Sequence, residues 1–210
     1  MNRIIAHKTV KVLQGVVIAL AVLLFQGCTS LNNVDEFATQ YDVNSRTFGD
    51  ISVDEATKAP LQAIARAHFK ASPDVVFSRM GDHKSMGEWL PMLDHEIQVD
   101  NSRSITPGEN NVGTTRVCIF GGDTLTEDVI HWVPGKGYSY SVRDSEEAPA
   151  KNHLGVITIE KDGLGGSLVT WRQYFDPNGF KGEYIMPTMM SLVLNGALDN
   201  LSEEFGGEVL

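Results

Sequence analysis

"TLTEDVIHWVPGKGYSYSV", Thr124 to Val142, is the stretch that decides the fold. It reads as two strands around a tight turn, with "PGK" as the turn signal. On the first strand Glu127 is in phase with Val129. On the second, Tyr138, Tyr140 and Val142 share one face. Strict alternation marks a strand with one buried face, and the tyrosine face is placed inward. Glu127 then points inward too. Asp and Glu are rarely buried without a partner, and an unpaired one is costly. The hairpin therefore raises the question of what this carboxylate meets.

Outward from the hairpin the same period recurs. "LQAIARAHFK", from Leu61, puts Leu61, Ala63, Ala65, Ala67 and Phe69 on one face. "SPDVVFSRM" follows as a short helix with Ser72 as N-cap and Pro73 at the first helical position. "HKSMGEWLP" reads as a second short helix stopped at Pro91. Strands are then expected at "HEIQVDNS", "GTTRVCIF", "TLTEDVIHW", "GYSYSVRD", "HLGVITIEKD" and "SLVTWRQYF". In "GTTRVCIF", Arg116 and Cys118 share one face and Thr115, Val117 and Ile119 the other. Phase alone does not say which faces in. "MPTMMSLVLNGALDNLSEEF" carries Met186, Met190, Val193, Ala197 and Leu201 at helical spacing, with Gly206 and Gly207 as stop signals. Short turns between successive strands predict an antiparallel meander, and the whole an α+β domain. A curved sheet around one helix can leave a space between them.

This order, with the stretches "ASPDVVFSRMGD" (71–82), "EWLP" (88–91), "PGENNVGTTR" (107–116), "LTEDVIHWVPGKGYSYSV" (125–142) and "GSLVTWRQYFDP" (166–177), resembles the START-like (SRPBCC) helix-grip superfamily. Within it the chain resembles the polyketide cyclase/dehydrase-type branch. The resemblance runs from about residue 59 to 205. It implies a seven-stranded antiparallel sheet wrapped around the last helix, two short helices after strand 1, and a deep apolar cavity. In such a fold Glu127 points into the cavity, or lies wet at its mouth. The expected lining is Glu127, Val129, Tyr138, Tyr140, His153, Ile157, Trp171, Gln173, Met186, Met190, Val193 and Ala197. Gly196 would thin the helix beside it. "FGGDT", 120–124, is a gate over the mouth or a plain hairpin turn.

The N-terminus has another character. Arg3, His7, Lys8 and Lys11 precede the apolar run Val12 to Phe25, which is shorter than the roughly 20 residues that span a bilayer. "LLFQGCTS" follows, and it resembles a bacterial lipoprotein signal in which Cys28 becomes the lipidated mature N-terminus. Phe25 and Gln26 depart from that pattern; Gly27 and Cys28 fit it. The competing readings are an ordinary secretory signal, which would want small residues at −3 and −1, and an uncleaved anchor. The expected division is signal peptide 1–27, lipidated tether 28–58 and ligand-binding domain 59–210. Thr29 after Cys28 implies the outer membrane, facing the periplasm. Cleavage there removes three cations and no acid, so the formal charge of −10 becomes −13. That balance excludes nucleic acid as a partner. Cys118 is left without a disulfide partner and reads as a small buried hydrophobe.

The sequence contains no HExxH, CxxC, GxSxG, Walker loop or GxGxxG after a strand, and its histidines show no metal-ligand spacing. No metal and no cofactor is expected. Three functional readings follow. One is an envelope-anchored protein holding a small hydrophobic, aromatic or lipid-like molecule. Another is a cyclase/dehydrase-type enzyme in which Glu127 works with a tyrosine or His153 as acid and base. A third is an interaction protein whose cavity is filled by side chains.

Overall fold

The structure is a computed structural model that describes residues 44–94, 96–120, 122–146 and 148–210. The expected signal peptide, Cys28 and the first part of the tether lie outside the described residues.

The described residues form ten strands and four α-helices: β1 (Thr47–Phe48), β2 (Ile51–Ser52), α1 (Val53–Ala56), β3 (Leu61–Phe69), α2 (Pro73–Gly81), β4 (Gln98–Asp100), β5 (Thr115–Phe120), β6 (Asp123–Val133), β7 (Gly137–Val142), β8 (Ala150–Lys161), β9 (Ser167–Pro177), α3 (Gly179–Tyr184), α4 (Met186–Phe205) and β10 (Gly207–Val209). A 3-10 helix, His83–Glu88, follows α2. Eight strands form one antiparallel sheet in the order β10-β3-β9-β8-β7-β6-β5-β4. The long helix α4 lies against its inner face, so the helix-grip arrangement holds. The eighth strand is an addition. After Gly206, at φ +67°, the chain reverses and β10 pairs with β3.

Alternation works as read along β3: Ala63, Ala65, Ala67 and Phe69 are buried against α4. The inner core continues through Tyr138, Ile157, Ile159, Val169 and Trp171 on the sheet and Leu194, Ala197, Leu198 and Leu201 on α4. β5 and β6 pair up to Phe120 and Asp123. Arg116 and Cys118 face in; Ile119 faces out and is exposed.

Residues 46–58, assigned to a tether by their polar composition, instead pack on the outer face of the sheet. Ile51 and Val53 bury against Leu154, Val156 and Tyr174. Each contributes on the order of 2 kcal/mol by leaving water. Arg46 fastens the segment, donating to the carbonyls of Thr57 (2.7 Å) and Ala59 (3.0 Å) and pairing with Asp54. Arg172 on β9 stacks over Phe48 at 4.0 Å. This clasp is invisible to periodicity because its strands are two residues long. It explains why β8 and β9 are buried on both faces.

Candidate functional site: a half-filled interior

The inner face and α4 enclose a hollow over one half of their length. A cavity of about 60 Å³ lies within a wider space of about 560 Å³ that includes the open mouth. Eight of the expected residues line it: Glu127, Tyr140, His153, Trp171, Gln173, Met186, Met190 and Val193. The cavity itself has room for about four water molecules, and an apolar hole of about 150 Å³ takes a benzene. A ring-sized occupant therefore requires Met86, Met186 or Met190 to move. Unbranched thioether side chains do this at low cost.

Four expected residues do not line the hollow, for one physical reason. Alternation tells which face is inner, not how far along that face the interior stays open. Tyr138, Ile157 and Ala197 are fully buried, but in the half packed solid. Tyr138 donates its hydroxyl to the Met80 carbonyl at 2.9 Å and lies against Trp132 and His83. Val129 is buried beside the start of β5, where its backbone bonds Gly113 and Thr114. A register shift between Val129 and His131 then turns Trp132 toward Tyr138. Gly196 does not open the cavity. A Cβ there would meet Pro91 at 3.0 Å.

The answer to the inward carboxylate is Arg116. It lies directly across from Glu127 on β5, and its Nε donates to Glu127 Oε2. The pair is nearly dry, with side-chain exposures of 1% and 10%. The guanidinium also lies over the Tyr140 ring, 4.3 Å from its centre. Nη1 meets the Met86 sulfur at 3.2 Å, and Nη2 is buried with no partner. Burial pulls the Arg116 pKa down, but the Glu127 carboxylate outweighs it and the net shift is upward. Sequence phase had left Arg116 and Cys118 undecided; both line the hollow. So do Met86, Leu90, Leu93, Phe120, Leu125 and Leu194, which the sequence reading did not select.

A second polar chain runs from β8 to β7. The Gln173 side-chain oxygen can only accept, so His153 Nε2 carries the proton and donates to it at 2.7 Å. Gln173 Nε2 donates to the Tyr140 hydroxyl at 2.8 Å, and Trp171 Nε1 to the same oxygen at 3.2 Å. Gly155 makes this possible. A Cβ at that position would sit 2.2 Å from the Tyr140 ring, so only glycine lets the ring lie flat against β8.

These bonds limit the chemistry. Glu127 is held by Arg116 and His153 by Gln173, so neither is poised as a free base. Burial lowers the His153 pKa, more than its bond to Gln173 raises it. Burial, with Glu127 nearby, pushes the Cys118 thiol up to about 12, so it stays a neutral packing group. Among the described residues no three His, Cys, Asp or Glu side chains converge as a metal site would need.

His83 gives the fold a pH dependence. It is fully buried, edge-on to Trp132 and Tyr138, and burial followed by the Arg116 charge holds its pKa well below the usual histidine value. His153 is also lowered. With folded values below the unfolded value of about 6.5, the unfolded chain takes up protons first as pH falls. Stability is present above about pH 6.5 and is lost as pH drops toward the folded values, at up to about 1.4 kcal/mol per pH unit for each group. Urea unfolding at pH 7.5 and 5.5 should show this loss. His83→Phe should recover about 1 kcal/mol of it at pH 5.5. An equal loss in both proteins would remove His83 as the cause.

Several solved structures share the architecture. XoxI from Bacillus cereus superposes with a TM-score of 0.55 at 22% identity, covering 68% of this chain and 94% of that one. A START superfamily protein from Mycobacterium smegmatis gives 0.56 at 10% identity, covering 68% and 95%. Major latex-like protein 151 from Panax ginseng gives 0.52 at 13% identity, also covering 68% and 95%. These likenesses speak for the fold alone. No curated protein sequence matches the chain. The sequence itself carries the stronger signal, since residues 62–206 match a family profile across β3 to α4, the elements that build the hollow. The chain belongs to the polyketide cyclase/dehydrase and lipid transport family, of START-like helix-grip fold.

Proposed function

We propose that this is a binding protein that holds one small apolar molecule in the half-open interior. The observation that carries the reading is the state of the polar groups. The hollow is walled mainly by aliphatic, methionine and aromatic side chains, and its acid and imidazole are already engaged by Arg116 and Gln173. Small-molecule sites have this makeup, an apolar wall with few placed polar groups. The cyclase/dehydrase alternative needs Glu127 or His153 free to take a proton, and the bonding opposes it. Trp171 lines the hollow and serves as the reporter. Titration with a neutral aromatic such as isopropylbenzene should change tryptophan emission saturably, with one molecule bound per chain. A response that never saturates would refute a defined site.

The second part of the proposal is location. The run "LLFQGCTS" supports a lipid-anchored protein of the bacterial envelope, outer membrane facing the periplasm, with Cys28 acylated. Anchoring by acyl chains keeps the binding domain near the membrane, where apolar molecules concentrate. Expressed in full, the chain should incorporate labelled palmitate, and Cys28→Ala should abolish the label and release the protein from membranes. Label retained by Cys28→Ala would refute lipidation at that residue.

A further inference from the structure

The polar end of the hollow is built to donate. Arg116 and Glu127 together carry no net charge, and the guanidinium is enclosed by Glu127, the Met86 sulfur and the Tyr138 and Tyr140 rings. Tyr140 has its oxygen occupied by two incoming donors, Gln173 Nε2 and Trp171 Nε1. Its own proton makes no hydrogen bond among the described residues, and the residue lines the hollow. Burial, with Glu127 nearby, pushes its pKa up, so the phenol keeps that proton. Buried polar groups normally find partners. An unmatched donor at one end of an apolar pocket is therefore a recognition feature.

We infer that the natural ligand is a neutral apolar molecule with a carbonyl-type oxygen at its buried end, received by the Tyr140 hydroxyl. This rests on the binding reading above and specifies its ligand. The arginine does not make this a site for carboxylates. Glu127 already neutralises it, and a second anion would lie beside a carboxylate in a low-dielectric pocket. Fatty-acid and other carboxylate ligands are thus disfavoured, although a buried arginine alone would suggest them.

Three molecules of similar shape test this: acetophenone, isopropylbenzene and benzoate, titrated against the full chain with tryptophan emission and calorimetry as readouts. In the wild type, acetophenone should bind at least tenfold tighter than benzoate. Tyr140→Phe removes the hydroxyl and leaves the ring. It should weaken acetophenone about tenfold more than it weakens isopropylbenzene, the size expected of one lost hydrogen bond. Glu127→Gln keeps the shape but leaves Arg116 charged and unneutralised. It should reverse the order, with benzoate now tighter than acetophenone and raising the melting temperature of the variant. The wild-type and Tyr140→Phe comparisons stand if Glu127→Gln does not fold. Benzoate tighter than acetophenone in the wild type would overturn the inference. So would equal acetophenone affinity in Tyr140→Phe and wild type, with isopropylbenzene still bound and the binding reading intact. Failure of all three molecules, isopropylbenzene included, would overturn the binding reading and the inference with it.

Discussion

Glu127→Ala should lower the stability of the fold by about 3–5 kcal/mol, the range for breaking a buried ion pair from one side. The cause is what remains. Arg116 is fully buried and a guanidinium stays charged at any working pH, so the cation cannot escape by losing its proton. Its other contacts, a methionine sulfur and two aromatic faces, do not replace a carboxylate. The double variant Arg116→Met with Glu127→Leu should recover most of the loss, since a well-packed apolar pair of similar volume often matches a buried ion pair. Urea unfolding of the four proteins gives the coupling energy directly. If Glu127→Ala costs less than about 1 kcal/mol, the value of an exposed pair, the two groups are not buried together in solution.

Val193→Phe should do the opposite to stability and more to binding. Val193 lies on the open half of α4, where an added ring enters the hollow. It should weaken a neutral apolar probe at least a hundredfold, with stability unchanged or raised because a void is filled. Ala197→Phe, one turn further along the same helix, is the control. That position is fully buried in the solid half, where overpacking costs about 1–3 kcal/mol or more. Equal destabilisation by the two substitutions would mean that the interior has no open half.

Much of this fold is legible in the sequence because its strands alternate cleanly. The inner sets on β3, β7, β8 and β9 can be read off one residue in two, and the helical stripe on α4 likewise. Two parts of the site resist the same reading. The boundary between the open and solid halves depends on side-chain volumes meeting across three strands and a helix, which no local period encodes. Tyr138 and Tyr140 show this. They are two residues apart on the same face, yet one fills the core and the other lines the hollow.

Arg116 is a different case, because a usable signal was present. Reading "FGGD" as a two-residue hairpin pairs Phe120 with Asp123, and counting back along both strands sets Arg116 opposite Glu127. An inward acid with an arginine directly across from it resolves the face of β5 at once. The clasp at residues 46–58 had no such signal. Its apolar residues, Phe48, Ile51 and Val53, are few and irregularly spaced, and only tertiary contact with Leu154, Val156 and Tyr174 gives them a role.

Native mass spectrometry of the protein purified from the cells that make it is the most direct test of an occupied hollow. The expected spectrum shows the chain with one small, uncharged, oxygen-containing molecule that is lost on denaturation. A native mass equal to the bare chain, with isopropylbenzene and acetophenone both failing to add to it, would contradict a ligand-holding interior.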